Sequence, residues 1–287
     1  MSRNSKRTSV NHNIPQPPNA PGIPPMQQMA NPFNIDLVAA TEVVKLPSGG
    51  RFYEEESSLF GVSEIEIKHL TAREEDLLSN QQYLVDGSMF TRLLKMIIVD
   101  KSINPSHFLS GDRNAILLAA RCTGYGSEYK TKKLCEHCGK VAEFTFDLSK
   151  IESVHELPKG VEYEESSGLF KFELPKSKME TAVRILTSEH EEYLKKQNEK
   201  AESLGIANNK TINLFRLAVV SVNGVTDNAQ LNQLFEVLPA IDSRKIRNVC
   251  NNLSPDVSTK QLVACGSCEE ESESEVPFSL GFFWPDV

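Results

Sequence analysis

Two Cys-x-x-Cys pairs are the residues of this sequence whose types and spacing could do chemistry. They are Cys135 with Cys138, and Cys265 with Cys268. A two-residue gap lets both thiolates of one turn bind the same ion, and two such turns supply the four sulfurs of a tetrahedral zinc site. Because four protein ligands leave no position for water or substrate, the spacing predicts a structural Zn²⁺ site rather than a catalytic one.

Other interpretations of the cysteines remain open at this point. In usual zinc ribbons about 15–20 residues separate the pairs, and here the separation is much longer. Each pair could instead do redox chemistry, but redox pairs normally open a helix, whereas apolar strand-like segments follow both pairs here. The cysteines could be only partly occupied by metal, and His137 could replace one of them as a ligand. Cys122 and Cys250 lie in apolar helical patterns and are predicted to be buried small residues.

The segments that must position the two pairs predict an α+β fold, mainly helical, with small β elements and a zinc-ribbon-like pair of knuckles. Residues 1–35 are rich in proline and are predicted to be a disordered tail, either solvated or docked on a neighbour. Residues 36–287 are predicted to form a single composite domain. Its parts are a helical part with the first pair (36–149), an inserted α/β part (150–260), and the second pair with a C-terminal aromatic strand (261–287).

Local patterns place several elements within this plan. Thr71 with Glu74 predicts a capping box at the start of a helix, and Ser188 with Glu191 predicts a second one. Strands are expected directly after both cysteine pairs, over 141–148 and 276–285, and the apolar run 211–222 predicts a buried helix. The acidic run 269–275 could bind Ca²⁺ or a basic partner, although a solvated hairpin tip is the preferred interpretation.

Charge and motif content disfavour several classes of function. The chain carries a net charge of −8, and because the first 40 residues hold three basic and one acidic side chain, the remainder carries −10. A protein with this negative charge is a poor general binder of nucleic-acid phosphates. The sequence has no stretch long and apolar enough to cross a bilayer, and its basic start lacks an apolar signal core, which predicts a cytoplasmic protein with reduced thiols. Phosphate-loop, His-Glu-x-x-His and Gly-x-Ser-x-Gly motifs are absent, so a non-enzymatic role without a small-molecule substrate is expected.

Three consecutive aromatic residues, Phe282, Phe283 and Trp284, lie close to the C-terminus. Terminal residues usually fray, so aromatic rings at this position need burial. They either pack on the core around the cysteine pairs or contact a partner protein.

Several segments in a fixed order resemble a known family. They are "LPSGGRFY", "DRNAILLAARCTGYGSEY" continuing into "CEHCG…FTFDL", and the ending "C-x-x-C…VPFSLGFFWP". Together these segments resemble the baseplate hub proteins and hub-assembly factors of T4-like contractile-tailed bacteriophages, from about residue 41 onward. The resemblance implies a non-enzymatic protein that helps to build the central hub in the host cytoplasm, where it contacts other hub or tail proteins. It implies further that the protein either stays in the virion or leaves after assembly.

The alternative function is a zinc-ribbon protein that binds nucleic acid or is associated with transcription. It predicts a basic face near the first cysteine pair. Lys130, Lys132, Lys133 and Lys140 are the candidates for that face.

Overall fold

Helices and short antiparallel sheets alternate along the chain in the computed structural model, which describes residues 39–80, 82–83, 88–205, 209–277 and 282–283. Of these residues 38% are helical and 25% lie in strands. The α+β class is therefore confirmed, but the prediction of a mainly helical body is wrong. The proline-rich segment 1–35 lies outside the described residues.

Most of the described helices contribute apolar side chains to the buried core. They are α1 (Ala72–Leu78), α2 (Met89–Ile97), α3 (Ser110–Tyr125), α4 (Ser188–Ser203), α5 (Lys210–Ala218), α6 (Asn228–Val237) and α7 (Ala240–Asn251), with short 3₁₀ turns at Pro105–His107 and Leu148–Lys150.

The described strands pair only in antiparallel fashion. They are β1 (Thr41–Lys45), β2 (Glu64–Lys68), β3 (Glu128–Leu134), β4 (Val141–Asp147), β5 (Ser153–Val154), β6 (Val161–Glu164), β7 (Leu169–Glu173), β8 (Glu180–Val183), β9 (Val219–Val222), β10 (Asp256–Val257), β11 (Lys260–Ala264) and β12 (Glu271–Glu275). A four-stranded sheet has the order β6-β7-β8-β9, and the two-stranded sheets are β1-β2, β3-β4, β10-β5 and β11-β12.

The buried side chains form two clusters, here called the first and second cores. The first core joins α1 to α3 and β1 to β4 with Val263, Cys265 and Val276 from the far end of the chain. The second core joins β6 to β9 with α5, α6 and α7. Phe52 and Ile185 pack against both. Val257 of β10 and Val263 of β11 also pack on the first core. The division of the chain into 36–149, 150–260 and 261–287 stays a prediction.

Two local predictions along the chain need correction. The helix predicted over 211–222 ends at Ala218, because Val219–Val222 pairs with β8 as strand β9. β-Branched valines favour this extended pairing. The capping box of α4 uses Thr187 and His190 in place of Ser188 and Glu191. The box of Thr71 with Glu74 at α1 is confirmed.

A buried carboxylate connects the loop after β1 to the start of α3. Asp112 accepts hydrogen bonds from Ser48 N at 2.9 Å, from Ser48 Oγ at 2.6 Å and from the Tyr53 hydroxyl at 2.6 Å. Tyr53 Oη in turn accepts from Leu109 N at 3.1 Å. Burial raises the pKa of Asp112, although these hydrogen bonds oppose the rise. The network holds α3, which leads directly into the first cysteine hairpin.

Candidate metal centre

The first cysteine pair lies at the tip of the β3–β4 hairpin. Leu134 pairs with Val141 immediately before the turn, and Cys135 N donates to Lys140 O at 2.9 Å. Gly139 N donates to Cys135 O at 3.0 Å, and Gly139 has φ +66°, a left-handed conformation that glycine adopts without steric cost. The turn therefore directs both Cys135 and Cys138 to one side.

The second cysteine pair repeats this geometry at the tip of the β11–β12 hairpin. Ala264 pairs with Glu271, and Cys265 N donates to Glu270 O at 3.0 Å. Glu269 takes the position of Gly139, with N donating to Cys265 O at 2.8 Å and φ +61°. The two knuckles are thus equivalent turns on two antiparallel hairpins.

The strand that follows the second pair differs from the prediction. It is β12, formed by Glu271–Glu275 of the acidic run, so most of that run is a strand rather than a solvated tip. Ser274 points inward and is buried, while the glutamates alternate outward. Of the segment predicted as a strand, 276–285, Val276 and Pro277 lie beyond β12, and 278–281 and 284–285 lie outside the described residues.

Three polar contacts hold the two hairpins against each other. Gly266 N donates to Glu143 O at 3.0 Å, and a Cβ at Gly266 would lie 3.0 Å from the same oxygen, so the close approach favours glycine. The Gln261 side chain donates to Asp147 O at 2.7 Å and accepts from Asp147 N at 3.0 Å. Lys133 Nζ donates to Ser274 Oγ. These contacts bring together segments that are far apart in the sequence.

The four predicted sulfurs converge on one point. The Sγ atoms of Cys135, Cys138, Cys265 and Cys268 all lie within 4.8 Å of one another, and those of Cys135 and Cys268 are 3.9 Å apart. A tetrahedral site with Zn–S bonds of about 2.3 Å places its sulfurs about 3.8 Å apart. A disulfide needs an S–S distance of about 2.05 Å, which the Cys135–Cys268 distance excludes for that pair. The spacing therefore fits a metal held by four thiolates.

The remaining candidate ligands lie elsewhere. His137 is not part of the four-sulfur cluster. Cys122 is partly buried against the first core and Cys250 against the second. Both cysteines lie outside the cluster, but they are half-buried and not fully buried as predicted.

Backbone N–H groups favour the thiolate form of the first cysteine in each knuckle. The N–H of Cys138 and then that of His137 lower the pKa of Cys135. The N–H of Ser267, which lies 3.4 Å from the sulfur, and then that of Cys268 lower the pKa of Cys265 to about 7. The N–H of Glu270 also lowers the pKa of Cys268, but burial and the three neighbouring thiols raise it overall to about 12. A cation bound among the sulfurs would favour the thiolate form of all four cysteines, because metal binding releases the thiol protons.

The cluster is buried on one side and reaches the surface on the other. Cys135 and Cys265 are buried, Cys138 is half-buried and Cys268 is exposed. Four sulfurs complete a tetrahedron and leave no position for a substrate, so the arrangement can crosslink the chain but is not organised to activate water. A chelator in solution can approach from the side of Cys268.

The C-terminal aromatic rings lie inside the first core. Phe282 and Phe283 are each 1% exposed. The Phe282 ring packs on Tyr129 at 5.3 Å between centroids, and the Phe283 ring on Phe90 at 5.9 Å. Of the two alternatives left open by the sequence, packing on the core therefore describes these two rings. Trp284 lies outside the described residues.

A fully buried arginine, which the sequence did not single out, holds this C-terminal segment. Arg121 Nε donates to Phe282 O at 2.7 Å, and its Nη1 donates to Gly126 O at 2.8 Å. Its guanidinium carbon also lies 5.2 Å from the centre of the Tyr125 ring. Carbonyl oxygens and ring faces thus stabilise a buried cation. The only sequence signal is its position directly after the apolar run 115–120 of α3.

The lysines proposed as a basic face are partly engaged within the hairpins. Lys133 is directed inward to Ser274 and lies over the Phe144 ring at 4.6 Å. Lys130 Nζ lies 2.9 Å from a carboxylate oxygen of Glu128. Lys132 and Lys140 are exposed, so two of the four lysines stay accessible and the nucleic-acid alternative stays a prediction.

Comparisons with known proteins agree with the resemblance seen in the sequence segments. Within the part of the chain described by the structure, no helix is both long and apolar enough to cross a membrane. Neither a curated protein nor a solved structure matches the chain significantly. The profile of the family described as T4 bacteriophage base plate protein matches residues 38–284. Because this match covers most of the chain, the chain belongs to the T4 bacteriophage base plate protein family.

Proposed function

We propose that this chain is a structural or assembly protein of the baseplate hub of a contractile phage tail, and that it acts by protein–protein contact. Family membership over residues 38–284 supports a baseplate role and contacts with other baseplate proteins. Hub assembly in the host cytoplasm is the more specific part of the proposal. The convergence of four sulfurs on one point is the observation that carries the mechanism, because it accounts for a rigid block built from both ends of the folded chain.

The metal in this proposal is Zn²⁺. Thiolates are soft ligands, and a tetrahedral set of four selects zinc or an iron–sulfur centre over magnesium or calcium. When bound, the ion crosslinks the two hairpins and supplies no further chemistry. The chain holds the thiolates in place through the two knuckle turns and the Gly266–Glu143 hydrogen bond.

A non-enzymatic role is supported by the character of the main cavity in the described residues. A cavity of about 600 Å³ lies among α4, α5 and α7, and its wall includes Leu194, Leu214 and Cys250. Burial raises the pKa of Cys250 to about 12, so this thiol stays protonated at neutral pH and is a poor nucleophile. At the rim, Lys210 and Glu202 form an ion pair at 2.8 Å, which neutralises the charge of both.

Metal content is tested directly on the purified chain. Elemental analysis by mass spectrometry is expected to find one zinc per chain in the wild type and in Cys122→Ala, whose cysteine lies outside the cluster. Cys138→Ser and Cys268→Ser are expected to lose most of the zinc. Exchange with Co²⁺ is expected to give the visible absorption of tetrahedral thiolate coordination. Equal zinc content in all four proteins would refute the site, and bound iron would refute the choice of metal.

The assembly role is tested in the infected cell. A phage in which this gene is inactivated is complemented from a plasmid with the wild-type chain or with Cys138→Ser. Electron microscopy of the lysates is expected to show complete baseplates with the wild type and few with the variant. Normal baseplates in the absence of the chain would contradict the role. Mass spectrometry of purified particles then shows whether the protein is retained in the virion.

A further inference from the structure

An exposed apolar corner lies where α6 meets α7, and it is called the basic corner below because of the charges around it. Five consecutive apolar residues, 237–241, span the end of α6, the two-residue connection and the start of α7. Val237 is 77% exposed and Ile241 is 55% exposed. Contiguous exposed apolar residues usually mark a contact surface. Neither the metal centre nor either core uses these two side chains.

Basic side chains surround this corner on a chain that is acidic as a whole. Arg244 and Arg247 are exposed on α7, within two turns of Ile241. Two loops of the four-stranded sheet bring further lysines to the same end of α7. Lys176 N donates to Asp242 at 2.8 Å, and Lys245 Nζ donates to Lys159 O at 3.0 Å. Glu236 is an exposed acidic residue beside Val237, and Asp242 is buried. The exposed cations outnumber them, so the corner is a local positive surface on a protein of net charge −8.

The outward face of the β11–β12 hairpin has the opposite character, and it is called the acidic hairpin below. Leu262 is 68% exposed, and Glu273 lies directly opposite it across the strand pair. Glu271 and Glu275 are the next outward residues on the same strand and lie diagonally to Leu262. Lys260 lies opposite Glu275 on the same face, with its Nζ 4.0 Å from a carboxylate oxygen. The three glutamates outnumber this lysine, so the face around Leu262 carries a net negative charge.

We propose that the basic corner of one copy of this chain binds the acidic hairpin of a second copy, head to tail. The corner belongs to elements of the second core and the hairpin returns to the first core, so the two surfaces are distinct. The apolar centres are aliphatic, which suits a protein surface better than the stacking of bases. A contact between two different surfaces of the same chain builds a ring or an open filament.

This inference goes beyond the proposed function, because it assigns self-association and its surfaces without reference to the metal. The aliphatic contact is small compared with about 800 Å² per partner in a stable complex. The association is therefore weak and sensitive to salt, which screens the charge pairs. Such a contact is populated where copies are concentrated, as in a growing assembly.

Charge-reversal variants of the zinc-loaded full chain test both surfaces. The corner variant carries Arg244→Glu with Arg247→Glu, the hairpin variant carries Glu273→Arg with Glu275→Arg, and a fourth protein carries all four changes. Sedimentation velocity from about 5 to about 200 µM covers the affinities of small interfaces. The wild type is expected to associate, each two-residue variant to weaken the dissociation constant by about tenfold or more, and the four-residue variant to regain association.

Controls separate loss of contact from loss of fold. Val43→Asp changes another exposed apolar residue, 58% exposed on β1, and is expected to associate like the wild type, whereas Val237→Asp is not. Circular dichroism and zinc content confirm that each variant is folded. A wild type that stays monomeric over the whole range overturns the inference, as does a four-residue variant that fails to regain association. Both results leave the proposed function intact, since that is tested by metal content and baseplate assembly.

Discussion

Removing the zinc ion proposed for the four-cysteine cluster should destabilise this protein far more than removing a single ordinary contact. Crosslinking Cys135 to Cys268 through an ion joins residues 133 positions apart. Chain-entropy arguments developed for disulfides assign about 5 kcal/mol to closing a loop of that length. This is only part of the binding free energy of a structural zinc ion, which is on the order of 10 kcal/mol or more. The expected loss is therefore at least about 5 kcal/mol, comparable with the whole stability of many domains.

The loss is measured by thermal unfolding with a zinc chelator and by the Cys138→Ser variant. For a folded part of this size, about 2–4 °C of melting temperature corresponds to each kcal/mol, so a fall of about 10–20 °C is expected. Readdition of Zn²⁺ should restore the wild type but not the variant. Cys122→Ala serves as control and should fall by no more than about 4 °C, because it loses only part of a half-buried side chain.

The reasoning would be refuted if the chelated wild type and Cys138→Ser both melted within about 2 °C of the untreated protein, a shift that corresponds to less than about 1 kcal/mol. That result would mean that packing of the two hairpins already holds the cysteines together without an ion. A fall confined to the chelated wild type, with Cys138→Ser unaffected, would indicate that the chelator acts elsewhere.

Four further predictions concern the polar and backbone contacts of the first core. Asp112→Ala should cost roughly 2–5 kcal/mol in urea unfolding, because three donors lose their acceptor; a cost below about 1 kcal/mol would contradict this. Burial raises the pKa of Asp112 above its ordinary 3.8, so the contribution of Asp112 to stability falls as the pH rises through the folded-state pKa. In Asp112→Asn, the urea midpoint should no longer show this decrease with pH. Arg121→Met should speed hydrogen exchange of a peptide containing Phe282, and unchanged protection would count against the buried contact. Gly50→Ala should lower the free energy of unfolding clearly more than the matched change Gly49→Ala, which should cost about 1 kcal/mol. Both glycines have positive φ, but only at Gly50 would a Cβ lie against the backbone, 2.4 Å from the nearest atom. Equal urea midpoints for the two variants would contradict this.

The acidic run shows why one local interpretation failed. Charge density alone suggested a solvated tip, since carboxylates rarely line a core. In the structure the glutamates of β12 alternate with Ser272 and Ser274, so every carboxylate faces out while the serines face the first hairpin. The period of two was present in the sequence, but serine is too small and polar to identify a buried face by itself.

Features that depend on residues close together in the sequence could be predicted from the sequence alone. The two-residue gap within each cysteine pair, the Thr71–Glu74 box and the strand pattern of β4 depend on groups only a few positions apart, so spacing was enough to predict them. Only the tertiary structure decided that the two knuckles meet, that Arg121 holds Phe282, and that Val219–Val222 is a strand. Each of these depends on a partner far along the chain, and its free energy comes from packing and loop closure, which no local pattern encodes.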